Sequence, residues 1–98
     1  MTRVKLRDGT IEQCADLFRR TNPELVKDEA NWLGARMIFD SATSTVTVLA
    51  SWKDVKSYET LSATQEFQST MQEFAQFFAG PPEITTNQLL VEMRPALI

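Results

Sequence analysis

Residues 32 to 52 read WLGARMIFDSATSTVTVLASW, and the pattern on either side of the SATS at 41 to 44 decides the fold. In residues 32 to 40, Leu33, Ala35, Met37 and Phe39 alternate with Trp32, Gly34, Arg36 and Ile38. A period of two belongs to a strand, whose successive side chains point to opposite faces. Residues 45 to 52 form the most β-branched stretch in the chain, and β-branched side chains suit a pleated surface. The small polar loop between the two runs predicts an antiparallel hairpin.

Beyond the hairpin, Asp54 is a candidate helix N-cap, and Val55, Tyr58 and Leu61 recur at spacings of three on one helical face. Ser62 followed by Gln65 repeats a capping-box pattern, so the helix is expected to jog and restart near Thr64. Phe67, Met71, Phe74 and Phe78 then sit at i, i+4, i+7 and i+11, with Ala75 in the same stripe and Gln68, Gln72, Glu73 and Gln76 facing out. Gly80 is read as a left-handed cap and Pro81-Pro82 as a block to continuation. Residues 85 to 93, TTNQLLVEM, are read as a final strand and residues 94 to 98 as a tail.

Before the hairpin, residues 2 to 7 alternate, with Val4 and Leu6 on one face and Arg3, Lys5 and Arg7 on the other. Asp8-Gly9 is a turn, and Thr10 with Gln13 reads as a capping box. The helix that follows has the stripe Ile11, Cys14, Ala15 and Phe18 and is expected to stop at Asn22-Pro23, because a residue before proline avoids the helical region. A short second turn over residues 23 to 29 is possible, with Pro23 at its first position.

The order β-α-β-β-α-β within residues 1 to 98 predicts a single α+β domain of ferredoxin-like type, a four-stranded antiparallel sheet with both helices on one face. The other face then carries Arg3, Lys5 and Arg7 beside Trp32, Ile38, Leu49 and Leu90. A partly apolar face of that kind marks an interface. A chain of 98 residues also buries only roughly 60 to 65% of its unfolded surface, which favours self-association. A homodimer with facing sheets is therefore expected.

Composition excludes more chemistry than any motif supplies. There is no histidine, and Cys14 is the one cysteine. Intrachain disulfides, thiolate zinc clusters, Cys/His and Ser/His pairs and a histidine-ligated haem are all excluded. Three separated glycines, Gly9, Gly34 and Gly80, cannot form a phosphate-binding loop. Thirteen acidic against 10 basic residues, with Lys and Arg scattered, argue against nucleic acid and anionic membrane as partners. No apolar stretch reaches membrane-spanning length and the first ten residues lack an apolar signal core, so the expected location is cytoplasmic.

Three stretches carry a resemblance: WLGARMIFD, then TVTVLASWKDVKSYETLSATQEFQSTM, then a last strand after a Gly-Pro-Pro break. Together they resemble the antibiotic biosynthesis monooxygenase family of dimeric α/β barrels over residues 2 to 93, most specifically at Ser51-Trp52-Lys53, Tyr58 and Glu66-Phe67. The resemblance implies two ferredoxin-like subunits with sheets face to face. Haem-degrading members use an Asn, a Trp and a His at positions that here are Lys5 or Leu6, Leu61 and Met71, so haem degradation is not expected. Quinone-forming members oxidise phenols with O₂ and no cofactor. Their strand Trp and the Tyr six residues later match Trp52 and Tyr58, whereas their Asn falls on Val48 and their Arg near Gln72.

Each candidate residue carries a second reading. By the resemblance, Trp52 and Tyr58 are the catalytic pair, Trp52 orienting an aromatic substrate and Tyr58 holding or relaying a phenolic proton. Equally, both suit a packed core, where large aromatics close strand ends and helical stripes. Phe67, Met71 and Phe74 are candidate substrate-binding residues lining an apolar pocket, or simply core with Met71 as adaptable filling. Arg36 is a candidate for steering an anionic substrate, or an interfacial charge. Cys14 reads as a small buried hydrophobe, and Asp28-Glu29 as solvated surface.

Two functions follow. One is a cofactor-independent, metal-free oxidoreductase acting on a small aromatic molecule in a helix-sheet pocket, with proton removal left to Tyr58, Lys5 or the substrate's own acidity. The other is a non-catalytic small-molecule-binding or structural homodimer of the same fold.

Overall fold

The computed structural model describes residues 1 to 96. Seven elements follow one another: β1 Thr2–Lys5, α1 Ile11–Val26, β2 Trp32–Asp40, β3 Thr45–Trp52, α2 Val55–Ser62, α3 Gln65–Ala75 and β4 Glu83–Ile84. The sheet has the antiparallel order β2-β3-β1-β4. This is the ferredoxin-like α+β arrangement, with its second helix split in two.

The hairpin forms as the alternation predicts, β2 and β3 pairing from Asp40↔Thr45 to Trp32↔Trp52. The Ala42 amide donates to Asp40 Oδ1 at 3.0 Å and closes the loop. One irregularity matters: the register shifts between Trp32 and Gly34, where Gly34 has φ +141°. That backbone suits glycine and marks a β-bulge, which turns Trp32 to face Trp52 rather than the outer surface.

The core lies between sheet and helices and centres on Val4, Leu6, Cys14, Leu17, Val46 and Phe77, with Ile11, Met37, Phe74 and Phe78 packed against it. Val4 pairs with Val46 and Met37 with Val48, so these side chains share the helix-covered face. Arg3, Lys5, Arg36, Ile38, Thr47 and Leu49 take the outer face. Ile38 is 55% and Leu49 41% exposed there. Trp32, Arg7 and Leu90 do not join them: Trp32 is turned by the bulge, Arg7 lies past β1, and Leu90 lies beyond the sheet.

Several sequence expectations are corrected. Helix α1 does not stop at Asn22-Pro23 but runs through Pro23 to Val26, merging with the second turn. An internal proline costs a helix about 3 kcal/mol. Pro23 and Arg19, whose carbonyl loses its donor, are both exposed, and continuing the helix buries Val26 and half-buries Leu25. Thr10 makes no capping box: its hydroxyl donates to the Arg7 carbonyl at 2.7 Å instead. The cap of α3 is Thr64, whose Oγ1 accepts from the Phe67 amide at 3.2 Å, not Ser62, whose hydroxyl donates to Glu59 O.

Helix α3 ends at Ala75, short of Gly80, and Gly80 has no positive φ. The chain after the helix is drawn to the end of β1 and the residues just beyond: the Ala79 amide donates to Lys5 O and the Arg7 amide to Phe77 O, each at 2.8 Å. Ala75 is consequently exposed, and the buried residue is Phe77. Similarly β4 is two residues, not the nine of 85 to 93. Its register sets Ile84 opposite Thr2 and brings Thr85 against Met1, so residues 86 to 93 run past the end of β1.

Candidate functional site

The site is built from the β3–α2 junction. The Ser57 amide donates to Asp54 Oδ1 at 2.7 Å and caps α2. Asn31 Nδ2 donates to Asp54 Oδ2 at 3.1 Å and to Ser57 Oγ at 2.9 Å, while the Lys53 amide donates to the Asn31 carbonyl at 2.8 Å. These bonds tie the start of β2 to the start of α2. The backbone bond from Ser57, with its hydroxyl second, holds the Asp54 carboxyl below the usual carboxylate range.

One turn further on, Tyr58 packs edge-on to two aromatic rings. Its centroid lies 6.1 Å from Trp52 at 61° and 6.3 Å from Phe67 at 86°. Such edge-to-face pairs contribute about 0.5 to 1.5 kcal/mol each beyond area burial. Trp52 stands behind Tyr58. Its indole Nε1–H is buried and has no acceptor among the described residues.

Tyr58 forms part of the wall of a cavity of about 120 Å³ between the helices and the sheet. The sheet supplies Val4, Met37, Val46 and Val48; α1 supplies Cys14, Phe18 and Leu25; α3 supplies Phe67, Met71 and Phe74. Its polar lining residues are Thr2, Thr21, Asn22, Thr70, Tyr58 and Cys14, and no charged residue is among them. The Thr21 and Thr70 hydroxyls donate to their own helices, to Leu17 O and Glu66 O. Burial raises the Cys14 thiol above its ordinary pKa, which keeps it protonated and non-nucleophilic.

The structure thus brings Tyr58, Phe67, Met71 and Phe74 to one cavity. Trp52 is in contact with Tyr58 but is not a lining residue. Arg36 and Lys5 are on the other face of the sheet, Arg36 opposite Leu49, so neither reaches the cavity. Sequence reasoning missed Asn22, Leu25 and Thr70. The signal was present in α1, where Cys14, Phe18, Asn22 and Leu25 continue one helical face past the proline.

A second hollow, of about 500 Å³, lies between the end of α1, the end of α2 and the first part of α3. It is open and charged, with Arg20, Glu24, Lys27 and Glu66 among its walls. The Arg20–Asp16 and Lys27–Glu24 pairs beside it, at 3.1 and 3.4 Å, are exposed and so contribute little. No group of three or more metal-ligating side chains occurs among the described residues, nor does any helix long and apolar enough to cross a membrane.

No protein-family model matches the chain, and no curated protein matches it by sequence. In three dimensions it superposes on a Bordetella bronchiseptica protein assigned as an antibiotic biosynthesis monooxygenase, with a TM-score of 0.79 at 15% identity, covering 92% of this chain and 93% of that one. The chain has the fold of the antibiotic biosynthesis monooxygenases. Within that fold it is also similar to SnoaB, a cofactor-independent oxygenase from Streptomyces nogalater (TM-score 0.70, 14% identity, 93% of each chain). A Nitrosomonas europaea protein of unknown function shares it at 22% identity, with a TM-score of 0.72, covering 97% of this chain and 90% of that one. The monooxygenase fold accounts for the layered cavity, while activity depends on the residues that line it.

Proposed function

We propose that this chain is a cofactor-independent oxygenase of small aromatic phenols, working as a homodimer. The observation that carries the reading is the placement of Tyr58: braced by Trp52 and Phe67, it stands with its hydroxyl-bearing ring in the wall of a mostly apolar cavity that no charged side chain lines. A phenol with its ring against Phe67, Met71 and Phe74 can exchange a hydrogen bond with that hydroxyl, which both donates and accepts. With Lys5 and Arg36 across the sheet, the substrate's own acidity supplies the phenolate, and Tyr58 stabilises its oxygen.

The chemistry balances without a cofactor. The ring carbon para to the phenolate oxygen takes up O₂ to give a hydroperoxide, which loses water to leave a quinone carbonyl. One oxygen atom enters the product, and the other leaves as water with the two hydrogens lost from substrate. Similarity to a cofactor-independent oxygenase of the same fold supports this class of reaction.

The dimer reading rests on the outer sheet face, where Ile38 and Leu49 remain exposed among Arg3, Lys5 and Arg36. Residues 86 to 96 add a segment without regular secondary structure, with Leu90 82% and Met93 90% exposed. A second copy of the chain covers both, and a stable pairing needs about 1,200 Å² or more in total.

One observation favours the alternative of a non-catalytic binding protein: Val48 and Met71, both apolar, lie in the cavity wall, and no charged group does. Oxygen-electrode measurements on a series of small phenols separate the two. Protein-dependent O₂ uptake with quinone formation supports the oxygenase; saturable binding without uptake supports the binding protein.

A further inference from the structure

The inner cavity and the outer charged groove share three residues, Thr21, Leu25 and Thr70. These three form the partition between them. The threonine hydroxyls are tied to carbonyls one turn back on their own helices, so their positions follow the helix backbones. Leu25, on the last turn of α1 and half-buried, has no such tether and fills the partition by bulk alone.

We propose that Leu25 is the size-determining residue of the aromatic site and restricts it to single-ring phenols. This rests on the oxygenase or binding-protein reading of the same cavity and adds the substrate's size class. The cavity volume is about 120 Å³, and an apolar cavity of about 150 Å³ takes up benzene. One ring fits on this side of Leu25 and a second fused ring does not. Beyond the partition lies the charged groove lined by Arg20, Lys27 and Glu66. Removing the Leu25 side chain joins the two hollows and extends the site outward.

The test is calorimetric titration of the folded protein with phenol and with 2-naphthol, for wild type, Leu25→Ala and the milder Leu25→Val. Wild type is expected to bind phenol and to bind 2-naphthol at least about tenfold more weakly, the scale set by a hydrophobic pocket discriminating by size. Leu25→Ala should tighten 2-naphthol about tenfold or more while phenol changes less than about threefold, with Leu25→Val moving the same way by less. Phenol binding also reports that each variant is folded; should Leu25→Ala lack it, Leu25→Val decides. If phenol binds but the preference between the two ligands is unchanged in the variants, the gate is wrong and the aromatic site stands. If wild type binds neither ligand, the aromatic site itself fails and the gate with it.

Discussion

The ring of Trp52 meets that of Tyr58 edge to face at 6.1 Å, yet only Tyr58 reaches the cavity wall. Trp52 therefore acts on the site through Tyr58, and its own buried N–H gains nothing from the chain. An unsatisfied buried donor costs about 1 to 3 kcal/mol. Trp52→Phe, which keeps an aromatic edge and deletes the donor, should leave unfolding stability within about 1 kcal/mol of wild type, the lost ring area offsetting the removed orphan. Urea titration checks this, and a loss well above about 2 kcal/mol would mean that the indole has an acceptor from outside the chain.

Asp54 gives the junction a pH dependence. Its folded pKa is lowered, chiefly by the Ser57 amide, so its contribution is complete above the ordinary aspartate pKa near 3.9 and is lost as pH falls through the lowered folded value. Melting temperature should fall over that acid window. Asp54→Asn retains an oxygen to cap α2 and should flatten this part of the profile, whereas Asp54→Ala should lower the melting temperature at neutral pH as well.

The hairpin was legible to the residue, Trp32–Asp40 and Thr45–Trp52, because period-two alternation and a polar loop are local signals. The jog at Thr64 and the cap at Asp54 were legible for the same reason. What escaped were features decided by distant partners. Pro23 reads as a stop until Leu25 and Val26 are seen to bury; β4 reads as long until its register against Thr2 is known. In the site, the stripe of Phe67, Met71 and Phe74 showed the cavity's helical wall. Arg36 was singled out by its residue type, although alternation with Ala35 and Met37 already sends it to the other face.

The dimer is tested at the outer face. Ile38→Asp sets a carboxylate on an exposed position, so it should cost an isolated subunit little while disfavouring contact between facing sheets. Light scattering should report a dimer for wild type and a monomer for the variant. A monomeric wild type at micromolar concentration would remove the sheet-to-sheet assembly.

Cys14 is 1% exposed and its thiol pKa is raised by burial. Alkylation by iodoacetamide, followed by mass spectrometry, should be slow at pH 8 in the folded protein and should accelerate by about a hundredfold or more in urea, since a buried protonated thiol reacts only on opening. Fast labelling without denaturant would show that the cavity admits bulk reagent freely.

The central claim, that an aromatic ligand occupies the cavity beneath Tyr58, has a built-in probe. Of the four methionines, Met37 and Met71 line the cavity, whereas Met1 and Met93 are exposed and are not among its lining residues. In protein labelled at the methionine methyls, titration with phenol followed by NMR should shift the Met37 and Met71 signals together along one saturable curve, leaving Met1 and Met93 in place. Tyr58→Phe should weaken that curve. Signals of Met37 and Met71 that stay fixed while phenol reaches saturating concentration would contradict the claim.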